Sequence, residues 1–327
     1  MLPMALPQSV AVAWGRRTDR SVCITALDEK GEDRFKLGSY SRSGRRWLDL
    51  ARGACATLEA RGTRLAGADL VVAGDLPARK GLASSAAYLV AISKALLAAA
   101  GRPPPTPAAL AAVIPEIEEN WAGARTGAMD PYVAALGLVG VPVMIDCREL
   151  KHEALPWPKG LAATWRETGV ERDLSATPYN DRRAELEAGL WIARAKAPGI
   201  RTLRDLSVER WAEIEALVEE PARRRIRHVV TEIDRVRRAA QALRDGDAEA
   251  LGAIVTESHA SLSRDFECST PEIDALVTRV RAEPGVLGAR LQGAGWGGCL
   301  VVVGGKQAEP EPALDAALEE DDEDAST

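Results

Sequence analysis

The chain has 327 residues, of which 46% are hydrophobic and 28% charged, and its formal net charge is −6. That length suits two domains or one large one, and the apolar share is ample for a buried core. The acidic balance argues against a nucleic-acid surface: the one basic run, Ala222–His228, is offset by nearby acids and reads as a helix face.

Five cysteines (Cys23, Cys55, Cys147, Cys268 and Cys299) form no CxxC pair and are odd in number. They read as reduced thiols of a cytoplasmic protein rather than a disulfide framework. Three histidines without an HExxH or a close Cys/His cluster give no zinc signature. No apolar run approaches the roughly 18–20 residues of a membrane span, and no signal peptide is read, so a soluble chain without a membrane partner is expected.

In chain order, Ser9–Gly15 and Arg20–Glu32 read as strands, and Leu48–Gly62 as a helix closed by glycine. Gly67–Pro77 reads as a buried strand, followed by a long helix from Ser84 to Ala100 and a second from Pro107 to Trp121. The loop "AGARTGAMD" precedes a short helix "PYVAALG"; "VPVMIDC" and "AATWRETG" are strand-like. From "PYNDRRAELEAGLWIARA" onward the pattern is helical, continuing through Arg223–Asp245 and Ala248–Ser263, with Thr270 as an N-cap. A glycine-rich loop then enters a buried strand at "LQGAGWGGCLVVV", and residues 306–327 read as an acidic disordered tail. Strands and helices mix without strict alternation, which predicts a two-domain α+β architecture.

The richest stretch is "DLPARKGLASSAAYLVAISKALLAAAGRPPP", Asp75–Pro105. A small-residue loop with Pro77 and Gly81 leads into an apolar helix that opens on Ser84 and Ser85. A helix N-terminus carries unpaired N–H groups and partial positive charge, so it is a ready anion site. The serines could cap a core helix, donate to phosphate oxygens or ligate Mg²⁺. Walker A is excluded, because here lysine precedes glycine. On these residues alone a capped core helix and a phosphate loop both stand.

Two further stretches accompany it: "EIEENWAGARTGAMDPYVAALG", with Glu118 and Asp130, and "LQGAGWGGC", with Gly293, Gly295, Gly297 and Gly298. Together with "PARKGLASSAA", in this order, they resemble the GHMP kinase superfamily. Within it "TPYNDRRAELEA", "RRRIRHVVTEIDRVRRAAQAL" and "ESHASLSRDFECSTPEIDALV" resemble the galactokinase branch, over Leu2 to about Val303.

The resemblance implies a two-domain GHMP kinase fold with its active site in the cleft between the domains. Residues 1–172 would form the N-terminal domain, with the phosphate loop at 77–87, and 173–305 the C-terminal domain. It implies ATP along Lys80, Gly81, Leu82, Ala83, Ser84, Ser85, Ala86 and Ala87, with Mg²⁺ held by Ser85 and Glu118. Such a small protein ligand set suits Mg²⁺, which keeps water and phosphate in its other positions. Asp130 would be the catalytic aspartate, accepting or orienting the C1 hydroxyl proton of D-galactose; by position alone it reads as an N-cap of the next helix, which is compatible with that role. Gly127 would let backbone approach the sugar, and Tyr179 would close over its ring. Arg223–Arg225, His228 and His259 read as structural. A monomer acting on small molecules is expected.

The pattern departs from the family at its start. The segment resembling Arg-Val-Asn-Leu-Ile-Gly-Glu-His-Thr-Asp-Tyr is missing, and Met1 stands directly against Leu2-Pro3-Met4-Ala5-Leu6. Three expectations follow: a galactokinase whose N-terminus is incomplete as given, a degenerate nucleotide-binding sensor or regulator, or a related arabinokinase or N-acetylgalactosamine kinase.

Overall fold

The alternating apolar residues of the N-terminal part build one sheet. In the computed structural model, which describes residues 1–29, 31–77, 80–170 and 177–305, four strands lie in the order β1-β4-β2-β3. They are β1 (Val10–Arg16), β2 (Ser21–Ala26), β3 (Gly31–Lys36) and β4 (Ala68–Gly74). β4 runs antiparallel to β1 and parallel to β2, and β3 is antiparallel to β2. Val22, Ile24, Leu70 and Val72 share the buried face, as a period of two requires. Helices α1 (Arg46–Ala60), α2 (Ser84–Ala99) and α3 (Pro107–Ala122) cover it through Leu48, Cys55, Leu89, Ile92, Ile114 and Ile117.

A short helix, α4 (Met129–Leu136), packs beside α2 and α3, and the chain then enters the hairpin β5 (Val143–Asp146) and β6 (Lys151–Ala154). This hairpin is the seam of the molecule. Val143 and Ile145 pack with Ala111 and Tyr132, while Met144 joins a cluster with Leu243 and Leu251 of the C-terminal helices α7 (Ala222–Asp245) and α8 (Ala248–Ser261). The first residues run along β5, with Ile145 N–H donating to Met1 O and Val143 N–H to Pro3 O, each at 2.8 Å.

The C-terminal part holds an antiparallel sheet, β7-β9-β8, formed by β7 (Leu161–Glu167), β8 (Val286–Leu291) and β9 (Cys299–Gly305). Helices α8 and α9 (Pro271–Arg281) pack on β8. Helices α5 (Tyr179–Lys196), α6 (Val208–Ile214) and α7 enclose a second core around Trp211, Ile214 and Ile226. Thr270 caps α9 as predicted, accepting from Ile273 N–H at 3.4 Å. The fold is α+β with N- and C-terminal domains.

β7 already belongs to the C-terminal sheet, upstream of the boundary expected at 172/173; that boundary and the tail 306–327 lie outside the described residues. The expected single strand over Arg20–Glu32 is two strands: β2 ends at Ala26 and β3 starts at Gly31. β3 escaped the pattern because, of GEDRFK, only Phe35 is buried, and β6 because all four of its residues are exposed. Among the described residues no helix is long and apolar enough to cross a membrane.

Candidate active site

The start of α2 is not capped by serine. Its N-cap is Ala83, in the left-handed region at φ 61°, with no side-chain hydrogen bond to the helix start. The capped-core-helix alternative is therefore not what forms. Ser85 instead turns its hydroxyl to α3 and donates to Glu118 Oε1 at 2.5 Å. The first turn of α2 opens on a cleft of about 2820 Å³, lined among others by Lys80, Gly81, Ser84, Ser85, Thr126 and Asp130. Ala86 is buried behind it, while Leu82, itself largely buried, and Ala87 line the cleft. Of the expected loop 77–87, residues 78 and 79 lie outside the described residues.

Glu118 is 2% exposed, close to the C-terminal end of α3. Its second oxygen accepts from Thr126 Oγ1 at 2.5 Å. Both of these partners are neutral hydroxyls, and among the described residues no lysine or arginine pairs with this carboxylate. A buried carboxylate normally needs a compensating positive charge. A divalent cation beside Ser85 and Glu118 fits that need. Among the described residues no group of three or more His, Cys, Asp and Glu could hold a metal alone, so such a cation would complete its sphere with water and phosphate. Thr126 was not singled out in the sequence; a hydroxyl in the loop joining Glu118 to Asp130 was the available signal.

Asp130 lines the same cleft, half-buried in the first turn of α4. It is not the N-cap; that position is Ala128, because the helix begins at Met129, ahead of the predicted "PYVAALG". A carboxylate in a first turn is electrostatically favoured. Gly127 is exposed to the cleft, and a Cβ there would meet no atom within 4 Å, so packing within the protein does not require glycine. Tyr179 opens α5, lines the cleft and donates its hydroxyl to Arg125 O at 3.3 Å. Arg183 donates to the same carbonyl at 2.8 Å. The C-terminal helix α5 is thus tied to the loop carrying Thr126 and Gly127.

The glycine loop between β8 and β9 packs on the loop that leads into α2. Gly298 has φ +89°, and a Cβ there would lie 2.8 Å from the carbonyl oxygen of Lys80. Gln292 Nε2 donates to Gly81 O at 3.2 Å. Lys80 Nζ lies 2.5 Å from Glu167 Oε2 at the end of β7. An uncapped helix start, a lysine and close backbone packing form a cradle suited to phosphate oxygens.

Arg225 is only 2% exposed; it pairs with Glu185 at 2.7 Å and Glu267 at 2.6 Å and donates to Asp265 O at 2.7 Å. His228 Nδ1 sits 2.9 Å from Ser261 Oγ, and burial pushes its imidazole down to about 4. His259 Nδ1 accepts from Leu291 N–H at 3.3 Å. These contacts join α5, α7, α8 and β8. One further carboxylate, Glu232, lines the C-terminal wall of the cleft and accepts from Arg235, Ser258 and Arg290. Burial alone would raise it, but Arg290, His228 and Arg235 outweigh that and hold it at about 2.

Comparison with known proteins gives the family. Residues 49–138 match the GHMP kinases N terminal domain and residues 239–322 the GHMP kinases C terminal family. The chain is 38% identical over 301 residues to a galactokinase of Roseiflexus sp. (strain RS-1), covering 92% of this chain and 77% of that one. A galactokinase of Mannheimia succiniciproducens is 37% identical over 310 residues, covering 93% and 79%. Among solved structures, Lactococcus lactis galactokinase complexed with galactose superposes with a TM-score of 0.88 at 27% identity, covering 94% of this chain and 80% of that one. Methanococcus jannaschii mevalonate kinase, at 16% identity, shares the fold with a TM-score of 0.61, over 94% and 84% of the two chains. The chain belongs to the GHMP kinase family of ATP-dependent phosphotransferases, with galactokinases among its relatives.

Proposed function

We propose that the chain is a sugar kinase that transfers the γ-phosphoryl group of Mg-ATP to the C1 hydroxyl of D-galactose. The observation that carries this reading is the meeting of Ser85, Glu118 and Thr126 with Asp130 in one cleft beside the start of α2. The choice of galactose rests on the relatives, which are galactokinases.

In this reading Lys80–Ala87 cradles the triphosphate, and the N–H groups opening α2 orient its oxygens. Ser85 and Glu118 would hold Mg²⁺, which would supply positive charge to offset that of the phosphates. Asp130 takes the proton of the C1 hydroxyl as that oxygen bonds to the γ-phosphorus and the bond from phosphorus to the β-γ bridging oxygen breaks, releasing ADP. Tyr179 covers the sugar ring, and Gly127 leaves room for it.

The test is ADP release by the folded 327-residue chain with Mg-ATP, with and without galactose, arabinose or N-acetylgalactosamine. Turnover dependent on galactose supports the proposal. Turnover only with another sugar changes the substrate. Nucleotide binding without turnover on any sugar favours a regulatory, non-catalytic role.

A further inference from the structure

Among the described residues, and outside the groups already given roles, Glu167 is a carboxylate that pairs with the lysine of the phosphate loop. It is the last residue of β7 and pairs in register with Cys299, directly after the glycine loop. The backbone there is firmly set: Thr168 N–H donates to Gly298 O at 2.8 Å, and Gly298 N–H to Val170 O at 3.1 Å. Lys80 and Glu167 both face the cleft, and their side chains are 41% and 44% exposed. An ion pair this exposed is weak and exchangeable. A triphosphate oxygen offers Lys80 a more highly charged partner, close to a helix start that lacks a side-chain acceptor.

We propose that Glu167 is an internal competitor for Lys80. Without nucleotide, Lys80 is held by the Glu167 carboxylate; on nucleotide entry its ammonium group exchanges that carboxylate for a phosphate oxygen. Glu167, left beside the bound polyphosphate, repels it and lowers its affinity, which favours release of ADP. No covalent bond changes in this exchange. Glu167 acts through Lys80 and is a positioning residue. The inference rests on the reading that Lys80–Ala87 holds a nucleoside triphosphate.

The experiment is calorimetric titration of Mg-ATP and Mg-ADP into the full chain and into Glu167→Gln, Lys80→Met and the double variant, at low and high salt. Both side chains are well exposed, and unchanged thermal midpoints check that the variants fold. Glu167→Gln is expected to bind Mg-ATP roughly three- to fivefold more tightly, the scale of one exposed ion pair. The gain should be smaller in the Lys80→Met background and should shrink with salt. A purely structural role for Glu167 would not tighten binding. Unchanged or weaker binding by Glu167→Gln, or an equal gain without Lys80, overturns the exchange while leaving the phosphate loop intact. Absence of saturable Mg-ATP binding by the folded wild-type chain overturns the phosphate-loop reading, and the exchange with it.

Discussion

Ser85 donates to Glu118 Oε1 at 2.5 Å across 33 residues of sequence, joining the first turn of α2 to the end of α3. Thr126 holds the other carboxylate oxygen. A buried carboxylate is thereby oriented by two hydroxyls. Removing its charge by Glu118→Gln is expected to weaken Mg²⁺ binding more than the roughly 10–100-fold typical of losing an outer partner. Thr126→Val, which keeps the shape and loses the donor, should fall within that roughly 10–100-fold range, and Thr126→Ser should restore most of it. Titration of turnover against Mg²⁺ checks both; a wild-type Mg²⁺ requirement in Thr126→Val would remove Thr126 from the site.

Asp130→Asn should lower turnover by roughly 10²–10⁴-fold, the share of a positioned general base. Mg-ATP binding should survive, because Asp130 sits on α4 and not on the phosphate loop. Single-turnover kinetics with parallel calorimetry separate the two effects. Full activity in this variant would falsify the assignment.

Gly298→Ala places a methyl group 2.8 Å from the carbonyl oxygen of Lys80, at φ +89°. The backbone strain costs about 1–3 kcal/mol, and relief of the contact moves the phosphate loop. Weaker Mg-ATP binding and a lower thermal midpoint are expected together. A destabilised variant with unchanged nucleotide affinity would show that the glycine loop does not set the phosphate loop.

His228 titrates at about 4 in the folded chain against 6.5 when free, because burial disfavours its charge. Between those values the unfolded chain binds the extra proton, so stability falls as pH drops from 6.5 toward 4, by roughly 3 kcal/mol in all. His259 is shifted in the same direction, also first by burial, and adds to the slope. Urea midpoints of wild type and His228→Asn between pH 6.5 and 5 measure it. Parallel curves would show that His228 is not the source.

Arg225→Ala leaves Glu185 and Glu267 without their buried partner. Breaking a buried ion pair costs about 3–5 kcal/mol, and the partial exposure of both carboxylates puts this case at the lower end. The thermal midpoint should drop clearly. Activity measured well below that midpoint should be largely kept, since Arg225 does not line the cleft; a selective loss of turnover without loss of stability would contradict a structural role.

Several elements were legible locally. Ser84–Ala99, Pro107–Ala122 and Ala222–Asp245 carry apolar residues at helical spacing, and Thr270 precedes α9 with a side chain able to accept from Ile273 N–H. The order of the phosphate loop, Glu118, Asp130 and the glycine loop also named the family, because such residues recur at set places along the chain. β3 and β6 were not legible, since strands with mostly exposed polar residues lose the alternation that marks burial.

By itself the sequence determined the helices, the family and the short set of hydroxyls and carboxylates that the proposed chemistry uses. Tertiary structure alone decided which of those groups meet. It made Ala83 rather than a serine the N-cap, and it turned Ser85 toward a glutamate on another helix. It enlisted Thr126 and set Glu167 against Lys80. Propensity and periodicity act over a few residues, whereas these contacts span loops and domains and exist only once the helices and sheets have packed.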